Sequence, residues 1–200
     1  KTRYQINNIN EQSNYRVLAR KYRPNDFSQL IGQDTLVKTF NNALNKGRLA
    51  HAFLLTGIRG VGKTTTARII AKALNCIGDG SKKDPSFEIC NNCSPCQSIN
   101  NGNFLDVIEV DAASRTGVDG IREIIDSVIY SPNNARYKVY IIDEVHMLSN
   151  AAFNALLKTL EEPPQNVKFI FATTEIKKIP ATIISRCQRF DLQRIDLKTL

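Results

Sequence analysis

Residues 52–76 read AFLLTGIRGVGKTTTARIIAKALNC, and the octet at 57–64, GIRGVGKT, decides the fold. It fits GxxxxGK followed by Ser or Thr without a mismatch. AFLLTG before it is a short apolar run of the kind that forms a buried strand. KTTTARIIAKALNC after it places Ala67, Ile70, Ala71 and Leu74 at helical spacing. Strand, glycine loop and helix in that order make a phosphate-binding loop. Its glycines let backbone N–H groups wrap phosphate oxygens, and the helix N-terminus adds the positive end of its dipole. The expected nucleotide contacts are Gly57, Ile58, Arg59, Gly60, Val61, Gly62, Lys63, Thr64 and Thr65. Lys63 is placed at the β- and γ-phosphates and Thr64 on Mg²⁺.

Outward from the loop, strand-like and helix-like runs alternate. LVKTFNNALNKG (36–47) has helical spacing and stops at Gly47. NFLDVIEVD (103–111), RYKVYIIDE (136–144), NVKFIFATTE (166–175) and QRFDLQ (188–193) read as strands. Between them, GVDGIREIIDSVIY (117–130), SNAAFNALLKTLEEPP (149–164, with Ser149 as N-cap) and IPATIISRC (179–187) read as helices. The alternation predicts an α/β chain, a parallel sheet covered by helices on both faces. Ligands of such sheets bind beyond the carboxyl ends of the strands. Polar groups after Thr56, at Asp143–Glu144 and at Thr173–Thr174 stand at strand ends and are expected to converge there. Asp143 suits the Mg²⁺ shell, and Glu144 suits a water-activating carboxylate. Thr173 or Thr174 is the candidate to hold the attacking water or sense the γ-phosphate, although a Thr-rich strand end also follows from β-propensity alone.

The chain has 200 residues, 42% apolar and 23% charged, enough for one α/β domain with a sizeable core. No apolar run is long enough to span a bilayer, and no export leader opens the chain, so a cytoplasmic protein with no membrane partner is expected. The net charge of +8 fits a phosphate-bearing partner, but the basic residues are dispersed rather than clustered. Residues 1–14, KTRYQINNINEQSN, are polar and aperiodic and read as a flexible tail. The absence of an initial Met suggests an excised or processed fragment.

CNNCSPC at 90–96, with Cys76 upstream, gives Cys-x13-Cys-x2-Cys-x2-Cys. In a chain without an export signal that spacing reads as metal ligands before disulfides. Four thiolates satisfy a tetrahedral Zn²⁺ and leave no position for water, so Cys76, Cys90, Cys93 and Cys96 are expected to form a structural site away from the chemistry. His51 and His146 lack ligand spacing and read as core or cap residues, and Cys187 as a packed thiol with no base beside it.

LARKYRP (18–24), GQ (32–33), HAFLLTGIRGVGKTT (51–65), the four cysteines, DAASRTGVDGIRE (111–123), IDEVHMLSNAAFNALLKTLEEPP (142–164) and SRC (185–187) together resemble the gamma/tau subunits of bacterial DNA polymerase III, AAA+ ATPases of the clamp-loader group. The resemblance covers residues 15–193. It implies a P-loop NTPase (AAA+) core with an inserted four-cysteine zinc module at 76–96. It implies ATP, Mg²⁺ and structural Zn²⁺ as cofactors. It also implies partners: delta and delta-prime type subunits, a sliding clamp and primed DNA. It further implies that Arg186 reaches a neighbouring subunit's ATP, and that Val17, Tyr22, Arg23 and Pro24 edge the adenine. One departure is visible: GDGSKKDPSFE (78–88) makes the first cysteine gap longer than usual for the family. Residues 194–200 stand where a helical lid begins, so a largely monomeric fragment is expected. Ser114-Arg115-Thr116, before a helix, is the leading candidate for a DNA-backbone contact.

Two other classes compete with the ATP-driven motor. A self-contained, kinase-like nucleotide enzyme requires a substrate pocket and an arginine-bearing lid, neither of which is evident. A zinc-dependent DNA-binding module with a degenerate ATPase conflicts with intact Lys63, Thr64, Asp143 and Glu144.

Overall fold

The computed structural model describes residues 22–114 and 118–195. Val17, Arg115, Thr116, the polar tail at 1–14 and residues 196–200 of the expected lid start lie outside the described residues. In chain order the main elements are α1 (Asp34–Asn45), β1 (Ala52–Thr56), α2 (Lys63–Asn75), α3 (Ser94–Asn101), β2 (Val107–Asp111) and α4 (Val118–Val128). There follow β3 (Lys138–Asp143), α5 (Asn150–Glu161), β4 (Val167–Thr173), α6 (Ala181–Ile184) and β5 (Gln188–Asp191).

The five strands form one parallel sheet in the order β2-β3-β4-β1-β5. Parallel neighbours need crossovers, and crossovers are right-handed, so the direction of travel across the sheet chooses the face on which each helix lands. From β1 the chain travels one way, to β2 at the far edge, with α2 on the first face. From β2 it steps back through β3 and β4, and past β1 to β5, with α4, α5 and α6 on the second face. The packing follows this rule. Phe53, Leu55, Val139, Ile141, Ile170 and Ala172 meet Phe40 of α1 and Ile70 and Leu74 of α2. Leu54, Tyr140, Ile142, Phe169 and Phe171 meet Ile121 and Ile124 of α4, Phe153 and Leu156 of α5, and Ile183 of α6. Every residue of β1 and β4 is buried, which is why both read in sequence as mainly apolar runs rather than alternating ones, with Lys168 the one charged residue in β4.

The register aligns the strand ends. Thr56 pairs with Thr173 on one side and Asp191 on the other, and Asp111 pairs with Asp143. The carboxyl ends of β1, β3 and β4 therefore share one edge of the sheet.

Several predicted boundaries contract. The run at 103–111 begins pairing only at Val107, because the buried Asp106 carboxylate accepts backbone N–H groups from Asn133 (2.8 Å), Asn134 (2.9 Å) and Ala135 (2.9 Å) and so belongs to a turn. The strand at 136–144 ends at Asp143, since Glu144 turns out of it with φ +46°. Ser149 does cap α5, its hydroxyl accepting from Ala152 N–H at 3.2 Å. Helix α3 was not foreseen. Its signals are Pro95 in its first turn and Gly102 after its end at φ +72°.

Candidate functional site

The loop at 57–62 joins β1 to α2 at the shared strand edge. Gly57 takes φ +148°, and a Cβ there would sit 2.9 Å from the Leu192 carbonyl oxygen, so the position excludes a side chain on two counts. Gly62 takes φ +101° at the N-cap of α2, with open space around its missing Cβ. Backbone can thus approach a ligand closely at the helix N-terminus, where the dipole favours an anion. Lys63 is buried, and its ammonium lies against the loop, donating to the carbonyls of Gly57 (3.0 Å) and Ile58 (3.2 Å).

Two strands away, Asp143 ends β3 and reaches back to the loop. The Thr64 hydroxyl donates to Asp143 Oδ2 at 2.5 Å. The other carboxylate oxygen, Oδ1, accepts the Glu144 N–H at 2.9 Å. An alcohol and a carboxylate oxygen held side by side are hard ligands suited to Mg²⁺. Glu144 is aimed by its left-handed backbone. Its Oε2 accepts from the Thr174 N–H (3.3 Å) and hydroxyl (3.1 Å).

His146, read from sequence as a core or cap residue, stands in this network. Its ring is almost wholly buried, with Nδ1 3.0 Å from Thr173 Oγ1 and 3.3 Å from Glu144 Oε2. Its Nε2 lies 3.4 Å from Glu175 Oε1. The structure also separates the two threonines. Thr173 is fully buried, and its hydroxyl serves His146 and the Glu175 N–H; the Thr174 hydroxyl is the one that reaches the Glu144 carboxylate.

A cleft of about 740 Å³ runs along this edge. Arg59 to Thr65, Asp143 and Glu144 form one side, and Tyr22, Arg23, Pro24 and the 29–31 stretch form the other. Gln33 fixes that second side. Its side-chain amide donates to Gln193 O (2.8 Å) and its side-chain oxygen accepts from Gln193 N–H (3.1 Å), as a backbone amide would in a sheet. Thr173 and Arg186 are not among the lining residues. Arg186 lies at the surface, about a third exposed, with its guanidinium on Glu161 Oε1 (2.5 Å) and the Thr182 carbonyl (2.7 Å).

The four cysteine sulfurs lie within 4.8 Å of one another, with Cys76 and Cys90 Sγ 3.6 Å apart. Four sulfurs about 2.3 Å from a tetrahedral Zn²⁺ stand about 3.8 Å apart, so the donor set fits such an ion. Backbone N–H groups point at the sulfurs as they do around thiolates: Cys90 N to Cys76 Sγ at 3.4 Å, and Cys93 N to Cys90 Sγ at 3.3 Å. Burial alone would raise the Cys90 thiol, but N–H groups of Cys93 and Asn92 and the Cys93 and Cys76 thiols bring it down to about 6, while burial pushes Cys96 up. The long first gap is fastened to the core by Arg136, which donates to the carbonyls of Leu74, Lys82 and Lys83. Cys187, by contrast, is driven up to about 12 by burial and is a packed thiol.

Residues 32–196 match the family described as DNA polymerase III, delta subunit. The chain is 57% identical over 182 residues to DNA polymerase III subunit gamma of Buchnera aphidicola from Acyrthosiphon pisum, covering 91% of this chain and 49% of that one. It is 56% identical over 181 residues to subunit tau of Bacillus subtilis, covering 90% and 31%. The chain thus spans half or less of the length of these curated relatives. Among solved structures, the RuvB Holliday junction branch migration motor of Thermotoga maritima superimposes with a TM-score of 0.61 at 24% identity, over 89% of this chain and 51% of that one. That likeness concerns the fold, which is the AAA+ P-loop fold. Among the described residues no helix is long and apolar enough to cross a membrane.

Proposed function

The chain belongs to the family described as DNA polymerase III, delta subunit, and on that premise we propose that it is the ATP-binding and hydrolysing part of a gamma/tau-type motor subunit that loads a sliding clamp onto primed DNA. The observation that carries this reading is the Thr64–Asp143 contact, which brings the loop and the β3 carboxylates into one site. A delta-prime type subunit, expected to lack a working loop, does not need that arrangement.

In this reading Tyr22 and Arg23 edge the base, and the N–H groups of the loop and Lys63 hold the phosphates. Thr64 and Asp143 hold Mg²⁺, which when bound draws charge from the phosphate oxygens. Glu144 accepts the proton of the attacking water, and Thr174 and His146 keep its carboxylate in place. Arg186, outside its own cleft, is directed to a neighbour's γ-phosphate. The cysteine cluster holds Zn²⁺ as a structural ion. The remaining partners are delta and delta-prime type subunits, the clamp, and DNA contacted through its backbone, in the cytoplasm. The polymerase activity belongs to another subunit.

Lys63→Ala tests the reading in the full-length subunit assembled with its partners. Removing a preorganised cationic donor is expected to cut DNA-stimulated ATP turnover by about 10²-fold or more. Turnover within a few-fold of wild type would refute the assignment of the cleft.

A further inference from the structure

The expectation from sequence is a metal site remote from the chemistry. The geometry points to a connection. Lys72, in the last turn of α2, is 1% exposed, although most lysines are solvated. Its ammonium donates to the Asn25 carbonyl and to Asn91 Oδ1, the latter at 3.0 Å. Asn91 lies inside the cysteine knuckle, between Cys90 and Cys93, with φ +58°. Asn25 directly follows Tyr22, Arg23 and Pro24, which wall the cleft.

A second contact runs in parallel. The ring of Phe27, also buried, stacks on Phe87 of the cysteine insertion with centroids 4.6 Å apart and planes within 9°. The segment around these two anchors is held by its own hydrogen bonds. Asp26 caps the turn at Phe27–Gln29 through the N–H groups of Ser28 and Gln29, and the Asn25 N–H donates to the Gln29 side chain at 2.9 Å. Gln29 and Leu30 line the cleft on the far side of that turn.

We propose that the cysteine module is a clamp on the nucleotide cleft, with Lys72 as the positioning residue that joins the metal knuckle to the cleft wall. Four thiolates around a divalent ion carry a net charge of minus two, which complements the buried ammonium. The closed knuckle holds Asn91 in its left-handed conformation and Phe87 in its stack. If the knuckle opens, the ammonium loses the Asn91 partner that ties it, and through it the Asn25 carbonyl, to the metal site, and Phe27 loses its stack on Phe87. Metal loading and nucleotide affinity must then favour one another, by the same factor in each direction. This inference rests on the reading of the cleft as a nucleotide site.

The experiment uses the full-length subunit and a fluorescent ATP analogue in Mg²⁺ buffer. Affinity is measured for protein holding one equivalent of zinc, for protein stripped with a mercurial and returned to buffer, and for zinc-loaded Asn91→Gly, which keeps the positive φ but removes the amide. Circular dichroism establishes that each is folded. Stripping and Asn91→Gly are each expected to weaken binding about fivefold or more, and nucleotide is expected to slow zinc release markedly from wild type and less from Asn91→Gly, which keeps the Phe27–Phe87 stack. Equal affinity in loaded wild type and loaded Asn91→Gly, with zinc release indifferent to nucleotide, overturns the coupling alone. Failure of loaded wild type to bind the analogue overturns the nucleotide reading and the coupling with it.

Discussion

Glu144→Gln is expected to leave ATP binding within a few-fold of wild type while cutting turnover by about 10²–10⁴-fold. The geometry separates the two effects. The Glu144 carboxylate accepts hydrogen bonds from both the N–H and the hydroxyl of Thr174, and a glutamine side-chain oxygen can still accept them. Its backbone contact with Asp143 survives as well. What is lost is the ability to take a proton from water. Equilibrium binding and single-turnover hydrolysis, measured on the same protein, check both halves. Loss of binding in parallel with turnover would show that the carboxylate organises the site rather than acting on water.

Arg186→Ala is expected to lower turnover of the assembled complex by about 10³-fold or more, the scale associated with a supplied arginine finger. It is also expected to leave the chain's own nucleotide affinity and its stability nearly unchanged. The contact with Glu161 pairs a side chain one-third exposed with one half exposed. Such pairs contribute about 0–1 kcal/mol, so the guanidinium is held in place without being committed. It can leave Glu161 for a stronger anion at low cost. Turnover in the assembly and binding by the isolated subunit are the two readouts. A large fall in the subunit's own binding would instead place Arg186 in its own site.

How much of this was legible in sequence differs by element. The phosphate loop and the two apolar strands β1 and β4 were plain, because local pattern and motif coincide there. The meeting of Thr64 with Asp143 followed from topology alone: parallel strands put their carboxyl ends on one edge. Helix α3 was hidden inside the cysteine spacing, whose ligand pattern overlaps its helix signals at Pro95 and Gly102. His146 read as a core or cap residue because its partners Thr173 and Glu175 arrive from the end of β4 and the turn after it. Gln33 bonds across 160 residues to Gln193, a contact no local rule can supply. Nothing local in the sequence of α2 singles out Lys72. Only burial by the cysteine insertion on one side and the Asn25 segment on the other makes it a link. Assignment of the finger to Arg186 came from family resemblance, and the surface position of that side chain agrees with a target outside its own chain.

In the proposed motor this chain forms half of a composite ATP site, with its neighbour's arginine completing the other half. The most direct measurement combines Lys63→Ala and Arg186→Ala subunits in the full-length assembly, under conditions where subunits exchange, and follows DNA-stimulated ATP turnover against each variant alone. The mixture is expected to regain turnover well above either parent, because intact loops then face intact arginines across some interfaces. A mixture as inactive as both parents, with exchange demonstrated, would contradict it and place Arg186 in the service of its own chain.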